Sequence, residues 1–283
     1  MTLFDLATSN MRESAPWPSG TDALLPWLKT RKPVLFEGVY ERFPHMRDWH
    51  YEWLRKRMTS IRIQRPREDG IYHYLGFERI LIQEFDRILE TGNNAYALEP
   101  LKGEGVSQTF PRDFRVELPE FIPESAFRTS NLYVGHGGNK SLLHYDETHS
   151  LLMMLEGRKR FMLFPSSETG HLYPYSIFNL RALLQGRVID SRIDCSAVDY
   201  ERYPTLRQAR GIAGTLEAGQ ALLIPAGTWH YIEADGLNVS VNYFWFQNRL
   251  RDWLSRPLLD FWFKRRILDG IDLARKVKSA LPT

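Results

Sequence analysis

The 283-residue chain is short of several things, and each shortage excludes a class of protein. It has a single cysteine, Cys195, so an internal disulfide framework is ruled out and a reducing, cytoplasmic setting is expected. No uninterrupted apolar run approaches membrane-spanning length, and no basic n-region followed by an apolar h-region opens the chain. No membrane partner is therefore expected. Charge of one sign is also scarce. The formal net charge is +3, too small to indicate a nucleic-acid partner, although it does not exclude one. The positive balance lies in the tail, where residues 248–283 hold nine Lys/Arg against four Asp/Glu. The rest has the composition of an ordinary globular protein, large enough to bury a substantial core.

The stretch with most chemical content runs from Asn131 to Phe164. It reads as strand, glycine turn, strand, glycine turn, strand. Leu132–Val134 is β-rich and is closed by Gly135, Gly137 and Gly138. A second run covers Leu142–Leu155, and Glu156-Gly157 breaks it before Arg158–Phe164. His144 and Asp146 are two apart, which in a strand puts both on one face and Tyr145 on the other. His149, at an odd offset, falls on the face of Tyr145. An imidazole beside a carboxylate makes two members of a 2-His-1-carboxylate triad for Fe(II), which leaves positions open for substrate and oxygen. His230, in IPAGTWHYI, is the candidate for the third ligand. Lys159 shares a face with Phe161 and Leu163. If that face is buried, the ammonium needs an anionic partner or loses its charge, and a bound dicarboxylate supplies one. The competing reading of Lys159 is a basic edge strand facing water.

Elsewhere the chain alternates short strands and helices. Met1–Gly20 reads as an arm outside the core, and Thr21 or Asp22 as the cap of a short helix through Leu28. Val34–Phe36 and Ile61–Gln64 read as strands and Tyr51–Arg57 as a helix, with a turn at Gly70. The apolar spacing over Phe77–Leu89 is helical, with a stop at Gly92-Asn93-Asn94. Ala95–Leu98 is a strand carrying Tyr96. Pro165–Pro204 is long, irregular and aromatic, an ordered loop that packs on the core. Gly211–Glu217, Ala221–Ile224 and Trp229–Ile232 are strands. Asp235-Gly236 then turns into Asn238–Phe246, where Ser240 and Asn242 alternate with strong strand formers, consistent with a wet cavity on that face.

Taken in order, TSNLYVG, GN-x-S-x-x-HYDE, EGRKRFMLFP, HLYPY, DYERYP, Gly-x-x-Leu-x-Ile-Pro-x-x-x-Trp-His and VNYFWF resemble the JmjC-type, cupin-like dioxygenases that use Fe(II) and 2-oxoglutarate. Within them the chain is most similar to the asparaginyl-hydroxylase branch. The matches run from about Thr129 to Phe246, with weaker similarity upstream to KPVLFEG. The resemblance implies a double-stranded β-helix (jelly-roll) core with helical additions, and hydroxylation coupled to decarboxylation of 2-oxoglutarate by O2. It implies iron ligands at His144, Asp146 and His230. It also implies 2-oxoglutarate contacts at Lys159 and Ser141 for the distal carboxylate and at Asn242 near the keto-acid end. Tyr96, with Tyr133 as runner-up, is the phenol expected at the distal carboxylate. The chain departs from the pattern at Ser150, where that branch has an asparagine. It departs again at Ala182-Leu183-Leu184-Gln185, where that branch has polar residues that grip the substrate, so the substrate does not carry over. A metal-dependent cupin of other chemistry, such as an isomerase or a cosubstrate-free dioxygenase, would not need Lys159. A non-catalytic binding module would not need the triad.

From Asn248 the strand signals disappear. Residues 1–247 are expected to form the oxygenase domain and residues 248–283 a helical segment with apolar residues on more than one side. The resemblance implies a homodimer paired through these C-terminal helices, with Trp253, Leu254, Leu258, Phe261, Trp262 and Leu268 as the apolar load.

Overall fold

A computed structural model describes residues 2–11, 14–20, 22–65, 76–91, 96–103, 114, 116–176, 178–179, 181–182 and 187–246, together with 258, 259, 262, 263, 266, 267 and 270. Strands dominate. In chain order they are β1 (Ala7–Met11), β2 (Ser14–Ala15), β3 (Val34–Phe36), β4 (Ser60–Gln64), β5 (Phe77–Leu81) and β6 (Tyr96–Gly103). Then come β7 (Phe127–Gly135), β8 (His149–Phe164), β9 (Gly211–Glu217), β10 (Ala221–Ile224) and β11 (Trp229–Trp245). The short helices α1 (Leu25–Thr30), α2 (Val39–Arg42), α3 (Tyr51–Arg55) and α4 (Ile82–Glu90) all lie in the N-terminal third.

The long strands β8 and β11 pair antiparallel along their whole length. The first half of β8 is flanked by β10 and the second half of β11 by β7, which leads outward through β6 and β4 to β5. The second half of β8 is flanked by β9, and β9 by β1. The two long strands therefore belong to both layers of a jelly roll. Register slips where they cross, between Asp235 and Ser240 on β11 opposite Glu156 on β8. At the crossing Gly157 has φ +71°, and a Cβ there would lie 2.2 Å from the Leu237 carbonyl oxygen. Only glycine fits both the left-handed backbone and the close approach.

The irregularity changes which residues of β8 face the interior. Leu152 and Met154 do so before it, Phe161 and Leu163 after it, and they share one cluster with Leu216, Leu222 and Ile224. The opposite faces are also covered. Leu151, Met153, Val241 and Tyr243 pack under the N-terminal helices. Met162, Phe164 and Trp229 pack under Leu172, Tyr200, Tyr203 and Leu206 of the long loop. Burying both faces of the central strands this way is the main source of hydrophobic stabilisation.

Several expectations are corrected here. Glu156-Gly157 and Asp235-Gly236 are not reversals but irregularities inside continuous strands. Leu142–Thr148 is not strand; only His144 within it makes a bridge, to His230 and Asp190. Phe77–Leu81 is a strand, and the helix begins only at Ile82. The N-terminal arm is part of the fold, because Leu3 is fully buried, β1 runs parallel to β9 and β2 runs parallel to β3. Helix α1 starts after Leu24 without a side-chain cap, so Asp22 does not cap it, and Thr21 lies outside the described residues. The expected turns at Gly70 and Gly92-Asn93-Asn94 lie outside the described residues, as do Leu183–Gln185, Trp253, Leu254, Phe261 and Leu268.

Candidate metal centre and cosubstrate pocket

His144 and Asp146 sit on the segment that leads into β8, and His230 is the second residue of β11. Two backbone hydrogen bonds join the segments, from His144 N to His230 O at 3.1 Å and from His230 N to His144 O at 2.7 Å. Gly227 N donates to Asp146 O at 2.9 Å, which ties the turn before β11 to the carboxylate residue. One ligand atom from each of the three side chains falls within 4.8 Å of the others, and no other such group of His, Cys, Asp or Glu occurs among the described residues. Tyr145 points the other way, into an edge contact with Trp229 at 4.8 Å. The two-residue alternation thus holds although the segment is not a strand.

The donor set suits a divalent metal. His144 Nδ1 lies 2.8 Å from Leu142 O, and His230 Nδ1 lies 3.1 Å from Thr228 O. A carbonyl can only accept, so each Nδ1 carries the proton and each Nε2 lone pair is left for a ligand bond. Burial lowers the pKa of both rings to about 4, His230 adding to the effect on His144, so both are neutral at physiological pH. Burial raises the pKa of Asp146, while His144 and Arg128 pull it back down. Arg128 itself donates to Glu147 at 2.7 Å. His149 stays out of the triad. It is buried against Trp245, and its ring nitrogen accepts from Ala226 N at 3.0 Å.

A cavity of about 170 Å³ runs from the triad to Lys159 and beyond. His144, Asp146, His230, Lys159, Ser141, Asn242, Tyr96 and Tyr133 all line it. Lys159 is 4% exposed and donates to Ser240 Oγ at 2.6 Å, with no carboxylate in contact among the described residues. Burial alone brings its pKa down to about 7. Its burial, and the pairing of Lys159 with Leu216 of β9 and Ala234 of β11, rule out an edge strand facing water. Ser141 Oγ accepts from Ile232 N at 2.9 Å and keeps its own proton to donate. The rings of Tyr96 and Tyr133 meet at a tilt, 5.4 Å between centroids, with Lys159 Nζ 6.0 and 5.6 Å from them. Burial, and then Asp146, raises the Tyr133 pKa, so its phenol remains a donor. Ser150 does not line the cavity; its hydroxyl donates to Asn242 Oδ1 at 2.9 Å. Sequence reasoning did not assign Gln64, Phe77 or Leu98 to this wall. Of the two polar residues that alternate with strong strand formers, Asn242 lines the cavity and Ser240 reaches it only through its bond to Lys159.

Ile189–Ser191 of the long irregular loop is hydrogen-bonded to the triad segment. Tyr145 N donates to Ile189 O and Ser191 N to Leu143 O.

A jelly roll holding two neutral histidines and a carboxylate at one end of a cavity, with a buried lysine along it, defines a cupin-like fold of the JmjC type. The comparison with known proteins agrees. Residues 26–250 match the family described as the cupin-like domain, and the chain belongs to that family. It is 28% identical over 235 residues to lysine-specific demethylase 8 of Xenopus tropicalis, covering 77% of this chain and 49% of that protein. It is 36% identical over 115 residues to HSPB1-associated protein 1 of Homo sapiens, covering 40% and 22%. It is 29% identical over 130 residues to tRNA wybutosine-synthesizing protein 5 of Gallus gallus, covering 46% and 37%. The chain spans about half or less of the length of these relatives. Among the described residues, no helix is long and apolar enough to cross a membrane.

Proposed function

We propose that the protein is an Fe(II)- and 2-oxoglutarate-dependent oxygenase, a hydroxylase of a protein side chain or small molecule. The observation that carries this reading is the buried Lys159 ammonium in the same cavity as the triad. A metal site alone serves many cupins. A buried cation with no carboxylate partner among the described residues calls for an anionic ligand whose other end reaches the metal.

In this reading His144, Asp146 and His230 hold Fe(II), with their orientation set by the carbonyls of Leu142 and Thr228. Lys159 and Ser141 hold the distal carboxylate, and Asn242, braced by Ser150, faces the keto-acid end. The bound iron and cosubstrates supply the oxidising chemistry, in which 2-oxoglutarate and O2 give succinate and CO2 as a C–H bond of the substrate is hydroxylated. The chain contributes position and dryness. Leu152, Ile232 and Phe244 wall the cavity with apolar surface, which excludes bulk water and strengthens the charge-assisted contacts. The names of the relatives widen the substrate question to methylated lysine and to tRNA. Hydroxylation at an N-methyl carbon is the first step of demethylation, so one site serves both outcomes. The deciding experiment measures succinate formed from 2-oxoglutarate by the iron-loaded protein, alone and with candidate substrates. Absence of iron-dependent turnover under every condition would sink the reading.

The tail supports a second, structural reading: residues 248–283 pair two copies of the chain. Leu258 is fully buried, whereas Leu259, Trp262, Phe263 and Ile267 are exposed at helical spacing. Such an apolar stripe suits a two-fold interface anchored by aromatic residues.

A further inference from the structure

Gln64 belongs to the cavity wall beside Tyr96. Gln64, the last residue of β4, pairs with Tyr96 of β6 on one side and with Phe77 of β5 on the other. Cross-strand partners point the same way, and all three side chains line the cavity. Gln64 is 5% exposed, and its amide nitrogen is buried without a hydrogen-bond partner among the described residues. A buried amide left unpaired costs stability, and in native structures such groups have partners or a reason to lack them.

The neighbours define what is missing. Lys159 Nζ is a donor already bonded to Ser240. Ser141 has filled an acceptor site on its oxygen and has a proton to give. The phenol of Tyr133 stays protonated. At this end of the cavity the chain presents donors and no carboxylate of its own among the described residues. One more N–H₂ group in such a setting is matched by an acceptor-only anion with more than one oxygen to satisfy.

We propose that Gln64 donates its amide N–H to the distal carboxylate of the bound 2-oxo acid, beside Lys159, and so helps select a dicarboxylate over a 2-oxo monoacid. The proposal rests on the reading of Lys159 as the carboxylate anchor. It differs from it in mechanism: the lysine supplies charge, and the amide supplies a fixed direction that does not depend on pH.

The test uses the full chain loaded with Mn(II), which allows binding without turnover, titrated calorimetrically with 2-oxoglutarate and with 2-oxobutyrate. Gln64→Leu keeps the volume and removes the donor. The expected result is about tenfold weaker binding of 2-oxoglutarate, little change for 2-oxobutyrate, and a ligand-free melting temperature equal to or above that of the parent. Gln64→Glu places an acceptor against the carboxylate and is expected to weaken 2-oxoglutarate further, again sparing 2-oxobutyrate. Unchanged 2-oxoglutarate affinity in Gln64→Leu, while Lys159→Ala still loses it, overturns the role of Gln64 and leaves the anchor standing. If Lys159→Ala also binds normally, the anchor reading itself has failed. A Gln64→Leu protein that melts lower and loses both acids equally assigns Gln64 to the fold instead.

Discussion

Lys159 Nζ and Ser240 Oγ lie 2.6 Å apart, on two long strands that pair with each other. A neutral hydroxyl is a weak counterpart for a buried ammonium, so this contact positions the lysine without neutralising it.

Lys159→Ala is expected to weaken 2-oxoglutarate binding by about 2–5 kcal/mol, as for truncating one member of a buried charge pair. Iron binding should be nearly unchanged. Calorimetry of each ligand separately checks both halves, and unaltered 2-oxoglutarate affinity would contradict the anchor.

The pH dependence follows from the same residue. Its free-state pKa is depressed to about 7, whereas the dianionic ligand favours the ammonium. Above about pH 7 binding must therefore take up a proton, approaching one per ligand, and affinity should fall as pH rises. Stability of the ligand-free protein has the opposite trend. The unfolded lysine binds its proton up to its ordinary pKa near 10.5, so the folded state gains stability as pH rises from about 7 toward that value. Titrations in buffers of different ionisation enthalpy count the proton directly.

His144→Ala and Asp146→Ala should each abolish iron-dependent turnover of 2-oxoglutarate while circular dichroism reports an intact fold. Loss of a buried histidine relieves desolvation as well as removing a ligand, so the fold need not suffer. Full activity in both variants would remove the triad from consideration.

Gly157→Ala tests the strand crossing. The left-handed backbone and the 2.2 Å approach to Leu237 O predict a loss of at least about 1 kcal/mol. In a domain of this size that lowers Tm by roughly 2–4 °C per kcal/mol. An unchanged melting curve would mean the crossing can relax.

For the pairing proposal, light scattering is expected to give a dimeric mass for the intact chain and a monomeric one for Trp262→Arg. A monomer at micromolar concentration in the parent protein would refute it.

Much of the site was legible because its chemistry is carried by residue types with few other reasons to be where they are. His144 and Asp146 share a face by the two-residue period alone, and Lys159, on one face with Phe161 and Leu163, pointed to a buried cation on condition that this face was covered. What the sequence concealed was continuity. Gly157 and Gly236 carry turn signals, but each absorbs a positive φ inside a strand that carries on. Phe77, Ile80 and Leu81 satisfy a helical period equally well as strand residues beside β4, and only tertiary pairing decides between them. Gln64 gave no signal, since a polar residue at a strand end reads as facing solvent.

The crossing of β8 and β11 between layers turns the interior into a gauge of fixed length. His230, Ser240 and Asn242 are graduations on one strand, and Lys159 is a mark on the other. Four ladder steps separate His230 from Ala234, the residue opposite Lys159, or roughly 13 Å of strand. Neither mark can slide without moving a strand built into both layers. Under the proposed function, the sheet itself therefore fixes the length of acid that can reach from the triad to Lys159, and changes outside these two strands would leave that length unaltered.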